Sequence, residues 1–258
     1  MDRLIQTLPN HLDESDVGDG KVGVVAGSVE FTGQPSITGM AALRTGSDHV
    51  RALAPAEIHP IVAGHSPNLL VGRYPGEGFS DEAVDRAVEL GRWADALVVG
   101  PGLTRSDGRA VRETLAAVDP PVVVDAVAIE PALDGDFSNA VFTPDDSEER
   151  TIVEEYGSLE AFSESTDAVV VVTGDVDTIV VEGERTTNET GTAALTVAGT
   201  GDTLAGVVAS LLGQGLNRAE AAELGAWIVG KAGELATADR GAGLVATDVI
   251  DRIPDTIR

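Results

Sequence analysis

The chain has 258 residues, enough for one large α/β domain or two small ones. Asp and Glu number 43 against 17 Lys plus Arg, a formal net charge of -26, and the only lysines are Lys21 and Lys231. A surface this acidic repels nucleic-acid phosphates, and the absence of cysteine excludes disulfide frameworks and thiolate metal sites.

The apolar share, 43 %, and the regular Val-rich runs argue against a disordered acidic chain and for a folded one adapted to high salt, where ions screen the self-repulsion. The opening "MDRLIQTLPNHLDESD" lacks a basic start followed by an apolar stretch, so it is not a signal peptide. No apolar run approaches the roughly 20 residues that span a bilayer. A soluble, cytoplasmic protein with no membrane partner is expected, residues 1–20 forming an acidic segment before a single domain over 21–258.

Taken in chain order, the first strand is "KVGVVAG" (21–27), followed by a helix over 36–46 and a strand over 48–54. A helix over 80–92 has acids in its first turn and leads to the strand "ADALVVG" (94–100). A helix over 106–117, the strand "PVVVDAV" (121–127) and the strand "NAVFTP" (139–144) come next. Two helices, 147–155 and 157–164, precede strands at 167–174 and 177–183, and helices over 201–213, 218–238 and 246–252 close the chain. Continuous Val-rich runs suit strands buried on both faces, and strand–helix alternation predicts a parallel sheet with helices on both sides. Strands 167–174 and 177–183 are too close for a crossover and must form a hairpin, which puts an antiparallel part late in the sheet.

Ligands bind such sheets beyond the carboxyl ends of the strands. Four ends are equipped: the loop "SVEFTGQP" with Gln34, the "GPG" turn with Gly102, Asp125, and "TGDVD" with Thr173, Gly174 and Asp177. Each alone reads as an ordinary turn; together they define a pocket. Sharper is "AGTGDTLAG" (198–206), small residues and a carboxylate at a helix start. It is neither a P-loop, having no Gly-Lys-Ser/Thr, nor a dinucleotide fingerprint, since the third glycine would fall at Leu204. Asp202 could simply complement the helix dipole, worth under about 1 kcal/mol, but that leaves the glycines unexplained. Backbone N–H groups converging at a helix start, with a carboxylate beside them, suit phosphoryl transfer to a hydroxyl whose proton the carboxylate accepts. The four histidines lack metal-ligand spacing, and "TPDDSEER" (143–150) reads first as a solvated helix start and second as a Mg²⁺ site.

"AGTGDTLAGVVASLLGQG" resembles the Ala-Gly-Ser/Thr-Gly-Asp signature of ribokinase-like proteins, in particular the ADP- or ATP-dependent NAD(P)H-hydrate dehydratase family. The likeness runs from Lys21 through "VVAGSVEFTGQPSITGMAALRTG", "ADALVVGPGL", "PVVVDAVAI", "LNRAEAAELGAWIVGKAGELA" and "GLVATDVIDRIP". No epimerase domain is expected before it, unlike in the fused members. It implies a three-layer α/β/α sandwich that uses ADP (or ATP) and Mg²⁺ to return hydrated NAD(P)H to NAD(P)H, phosphorylating the ring hydroxyl and eliminating phosphate. A homo-oligomer is also expected.

In that resemblance Asp202 is the base, and the amides of Gly199, Thr200 and Gly201 hold the phosphate, Gly201 also meeting the nucleotide. Gln34, Gly102 and Asp125 lie at substrate positions, and Thr173, Gly174 and Asp177 at the nucleotide loop. The chain departs from the family twice: Asp145 stands where the family has a substrate-contacting His, and Thr173-Gly174 where it has Lys-Gly. Two rival readings follow, a small-molecule kinase of the same fold and a nucleotide-binding paralogue without turnover.

Overall fold

The computed structural model describes Met1, Ile5 and residues 20–104, 106–135 and 138–257. The acidic segment 1–20, apart from Met1, Ile5 and Gly20, lies outside the described residues.

Among the described residues nine strands form one sheet: β1 (Lys21–Val25), β2 (His49–Pro55), β3 (Leu70–Tyr74), β4 (Ala96–Val99), β5 (Val122–Val124), β6 (Ala140–Phe142), β7 (Val169–Val172), β8 (Asp177–Val181) and β9 (Glu184–Asn188). Their spatial order is β3-β2-β1-β4-β5-β6-β7-β8-β9, parallel through β7 and antiparallel from β7 to β9. The Val-rich strands β4 to β7 are buried along their whole length, as strands covered on both faces must be.

Helices cover the sheet: α1 (Gln34–Thr45), α2 (His59–His65), α3 (Asp81–Trp93), α4 (Gly108–Ala117), α5 (Ile129–Ala132), α6 (Asp146–Tyr156), α7 (Leu159–Thr166), α8 (Thr200–Gly213), α9 (Arg218–Arg240) and α10 (Ala246–Thr256). Two apolar cores result. One joins Val24 and Val98 of the sheet to α1, α2, α8, α9 and α10; the other joins Leu53, Val99 and Phe142 to α3 through α7. That is the expected three-layer sandwich.

Four elements escaped the sequence reading. α2 contains Pro60 and Gly64 within seven residues, and β3 is an edge strand with Gly72 at its centre and Leu70 exposed. α5 is a single turn. β9, "ERTTN", is polar on both faces because it is the other edge, so it shows no alternation. The turn into β9 is formed by Glu182 (φ 52°) and Gly183 (φ 78°), the two left-handed residues of a tight hairpin.

The chain reverses its direction across the sheet at β1, whose neighbours are β2 and β4. There Gly27 N–H donates to the Pro101 carbonyl at 2.8 Å, and Gly100 N–H to Val25 at 3.1 Å. Gly100 has φ 131°, and a Cβ on it would stand 1.7 Å from the Asp125 carbonyl oxygen. Only glycine permits that approach.

α8 is buried from Thr203 to Gly213 and runs beside α1. A Cβ on Gly206 would lie 2.2 Å from the Thr38 carbonyl oxygen, and one on Gly199 would lie 3.2 Å from Ile37. Further along, the Ser47 hydroxyl donates to Ser210 at 2.7 Å, and Gln214 Nε2 donates to the Thr45 carbonyl at 3.2 Å. These contacts advance together along both helices, so the two N-termini lie side by side. Gly206→Ala is expected to cost about 1–3 kcal/mol by overpacking this contact, read as a lower denaturant midpoint at fixed KCl.

Candidate functional site

A cleft of about 810 Å³ opens at the carboxyl ends of β5, β6 and β7. Of the residues singled out in the sequence, Asp125, Asp145, Thr173, Gly174, Asp177, Gly199, Thr200, Gly201 and Asp202 line it. Gln34 and Gly102 do not. They meet each other instead: a Cβ on Gly102 (φ 65°) would lie 3.0 Å from the Gln34 side chain and 2.9 Å from Phe31. This contact sits beyond the ends of the paired strands β1 and β4, and the packing of Gly199 on Ile37, three residues past Gln34, brings the start of α1 next to the α8 loop.

The loop before α8 explains its own glycines. Gly199 takes the left-handed conformation (φ 97°) as N-cap, and a Cβ there would be 2.8 Å from Ala246. The Thr200 hydroxyl donates to Val197 at 3.0 Å, and the Thr203 hydroxyl to Gly199 at 2.8 Å, which fixes the turn. A side chain at Gly201 would project into open space. The N–H of Thr200 reaches the Val197 carbonyl at 3.4 Å. Among the described residues, those of Gly199, Gly201 and Asp202 find no backbone acceptor, leaving free donors where the helix dipole is positive. Thr200 is therefore the weakest of the three expected amide donors.

Asp202 is half-buried at the start of an otherwise buried helix, and burial pushes its carboxyl up to about 6. It caps nothing: N-cap Gly199 offers no side chain, and among the described residues no side-chain hydrogen bond to Asp202 is present. Asp125 is 5 % exposed at the end of β5, one residue past the Val124–Phe142 pair, which brings it beside Thr143. The Thr143 hydroxyl donates to Asp125 Oδ1 at 2.8 Å. Burial first, and the charge of Asp202 second, hold the Asp125 carboxyl well above the usual range. Thr143 was not singled out in the sequence; the strand order β5-β6 is the signal that finds it.

Asp145 has a structural task. It is the N-cap of α6, its Oδ1 accepting from the Ser147 and Glu148 N–H groups at 2.8 and 2.9 Å while Glu148 accepts from the Asp145 N–H. Burial alone would raise its carboxyl, but these bonds and the Ser147 hydroxyl bring it below the usual range. Asp177 likewise holds the β7–β8 turn, accepting from the Gly174 N–H at 3.2 Å and from Asn188 at 2.8 Å. Burial outweighs those bonds and raises it.

Among the described residues the cleft wall holds Asp125, Asp145, Asp146, Glu148, Asp175, Asp177 and Asp202, and no Lys, Arg or His. Among them, too, no three His, Cys, Asp or Glu side chains cluster closely enough to cage a metal ion. The donor set suits Mg²⁺ only as an ion already carried on phosphate oxygens and water, its ordinary mode with nucleotides. Among the described residues no helix is long and apolar enough to cross a membrane.

The sheet and this cleft define a ribokinase-like α/β protein. A ribokinase-like superfamily protein from Enterococcus faecalis superposes with TM-score 0.84 at 21 % identity over 99 % of this chain and 93 % of that one. An ADP/ATP-dependent NAD(P)H-hydrate dehydratase from Bacillus subtilis, crystallised with ATP/Mg²⁺, gives 0.77 at 21 % identity over 100 % and 97 %. Residues 22–255 match the carbohydrate-kinase family model described as NAD(P)H-hydrate dehydratase, and the chain belongs to that family. An ADP-dependent (S)-NAD(P)H-hydrate dehydratase of Haloterrigena turkmenica is 62 % identical over 258 residues, the full length of both.

The raised Asp202 carboxyl carries a stability consequence. Its value of about 6 lies above the ordinary 3.8, so ionised Asp202 destabilises the fold above that range, and the cost vanishes below both values. Asp202→Asn is expected to melt at a higher temperature than the parent at pH 7.5 in fixed KCl. The gap should close as pH falls through about 6 toward 4.

Proposed function

We propose that the chain is an ADP-dependent NAD(P)H-hydrate dehydratase whose residues 21–258 act as one catalytic domain. The full-length Haloterrigena relative bears that name. The observation that carries the reading is Asp202, a desolvated carboxyl without a hydrogen-bond partner among the described residues, standing beside free amides at a helix start.

In this reading the hydrated ring lies toward Gln34 and Gly102, and the nucleotide lies along Thr173, Gly174 and the α8 loop. Asp202 takes the proton of the ring hydroxyl as its oxygen attacks the terminal phosphorus of ADP; the O–P bond forms and AMP leaves. The amides of Gly199 and Gly201, with that of Asp202 and a lesser share from Thr200, stabilise charge on the moving phosphoryl group. The carbon–oxygen bond then breaks with its electron pair on the phosphate, the neighbouring C–H proton is taken up so that phosphate departs as the hydrogen-phosphate dianion, and the double bond returns. Asp145 and Asp177 contribute by fixing the α6 start and the β7–β8 turn, and Asp125 by bordering Asp202.

Mg²⁺ bound to the nucleotide, the form in which ATP was supplied to the Bacillus enzyme, would neutralise phosphate charge in a cleft whose described residues offer no cation of their own. The family's missing Lys and His therefore remove attraction without removing the proton acceptor, which weighs against a paralogue without turnover.

Incubated with hydrated NADH and ADP in molar KCl, the protein is expected to restore the reduced-nicotinamide absorbance and release AMP and phosphate. Asp202→Asn should lower turnover by about 10²–10⁴-fold while ADP affinity persists. A stable phosphorylated product would instead identify a small-molecule kinase. Because like charges line the cleft, ADP affinity measured by calorimetry should rise with added KCl or Mg²⁺, opposite to a lysine-lined phosphate site.

A further inference from the structure

Asp125 is buried where the proposed chemistry happens, yet the transfer to the ring hydroxyl does not use its titration. Around it stand Asp202 from α8, Glu148 from α6 and the Thr143 hydroxyl from β6, all on the same cleft. On the β4 side Gly100 borders it, and its missing side chain lets the Asp125 backbone press in. Among the described residues no Lys, Arg or His borders the cleft to balance a second negative charge. Of two carboxyl groups in such a space the second ionises only at a higher pH than the first.

We propose that Asp125 is the proton-bearing positioning partner of Asp202: of the two carboxyl groups only Asp202 is ionised when the site is working, and Asp125 keeps its proton while Asp202 acts as base. The assignment of the proton follows from burial. Asp125 is 5 % exposed and Asp202 is only half-buried, so the charge resides at the better-solvated group. Thr143 donates to one Asp125 oxygen and leaves the other for the proton. In the transfer step the hydroxyl O–H bond breaks, its proton moves to Asp202, the O–P bond forms and the bond to AMP breaks. Both carboxyl groups are then neutral beside the newly formed phosphoester dianion, so no like charge opposes it. At high pH Asp125 loses its proton, and the cleft gains a charge directed against the phosphates.

This rests on the reading that the cleft binds nucleotide phosphate, and the test separates the two. ADP affinity is measured by calorimetry in molar KCl from about pH 7.5 upward, where the diphosphate is already fully ionised, alongside kcat with hydrated NADH. For the parent, affinity and kcat should both fall as pH rises. In Asp125→Asn, which cannot gain that charge, the alkaline fall in affinity should disappear whatever the variant's turnover. Thr143→Val removes a bond that favours the charged form, so it should shift the parent's fall to higher pH and serves if Asp125→Asn does not fold. An alkaline fall that is the same in all three proteins, or absent from the parent, overturns the proposal. Tight ADP binding without cofactor repair would overturn the dehydratase reading and leave this one standing.

Discussion

The packing of α8 along α1 is the constraint on which the site depends. Gly206 receives the Thr38 carbonyl, Gly199 sits against Ile37, and the Ser47, Ser210 and Gln214 bonds tie the far ends. Because both helices begin at the carboxyl edge of the sheet, this contact sets the start of one beside the start of the other. Phosphoryl transfer needs acceptor and donor held within a few tenths of an ångström. A helix buried from Thr203 to Gly213 supplies that rigidity, and it also withdraws water from Asp202 and raises its proton affinity. Packing and basicity thus have one cause.

The cleft's charge is the second organising feature. A site for a polyanion would ordinarily be lined by Lys or Arg; among the described residues this wall is acidic, and the proposed nucleotide would be held by backbone N–H dipoles and by ions from solution. The chain's net charge of -26 and its two lysines show the same preference over the whole surface. In concentrated salt the repulsion is screened, so a fold and a site that look electrostatically unfavourable in dilute buffer are consistent with one another. The acids also have local tasks: Asp145 caps α6 and Asp177 closes a turn.

Much of this was legible in the sequence wherever burial leaves a pattern. Continuous Val runs revealed β4, β5 and β7, and the short spacing between β7 and β8 required a hairpin. The unread elements are those the core touches least: β3 and β9 at the sheet edges, the Pro- and Gly-containing α2 and the single-turn α5. At the site, small residues around Asp202 were readable because a left-handed N-cap and a close helix contact admit nothing larger. Thr143 was not, since its bond to Asp125 depends on which strands are neighbours. Nor does a sequence reveal that Asp145 spends its carboxylate on a capping box, or that Gln34 and Gly102 pack on each other outside the main cleft.

In the proposed reaction the ring hydroxyl itself receives the phosphoryl group before it leaves the carbon. The direct measurement follows the oxygen. Hydrated NADH carrying ¹⁸O in the ring hydroxyl is turned over with ADP in molar KCl, and the phosphate and water are analysed by mass. The account predicts the label in inorganic phosphate; label appearing in water would contradict it.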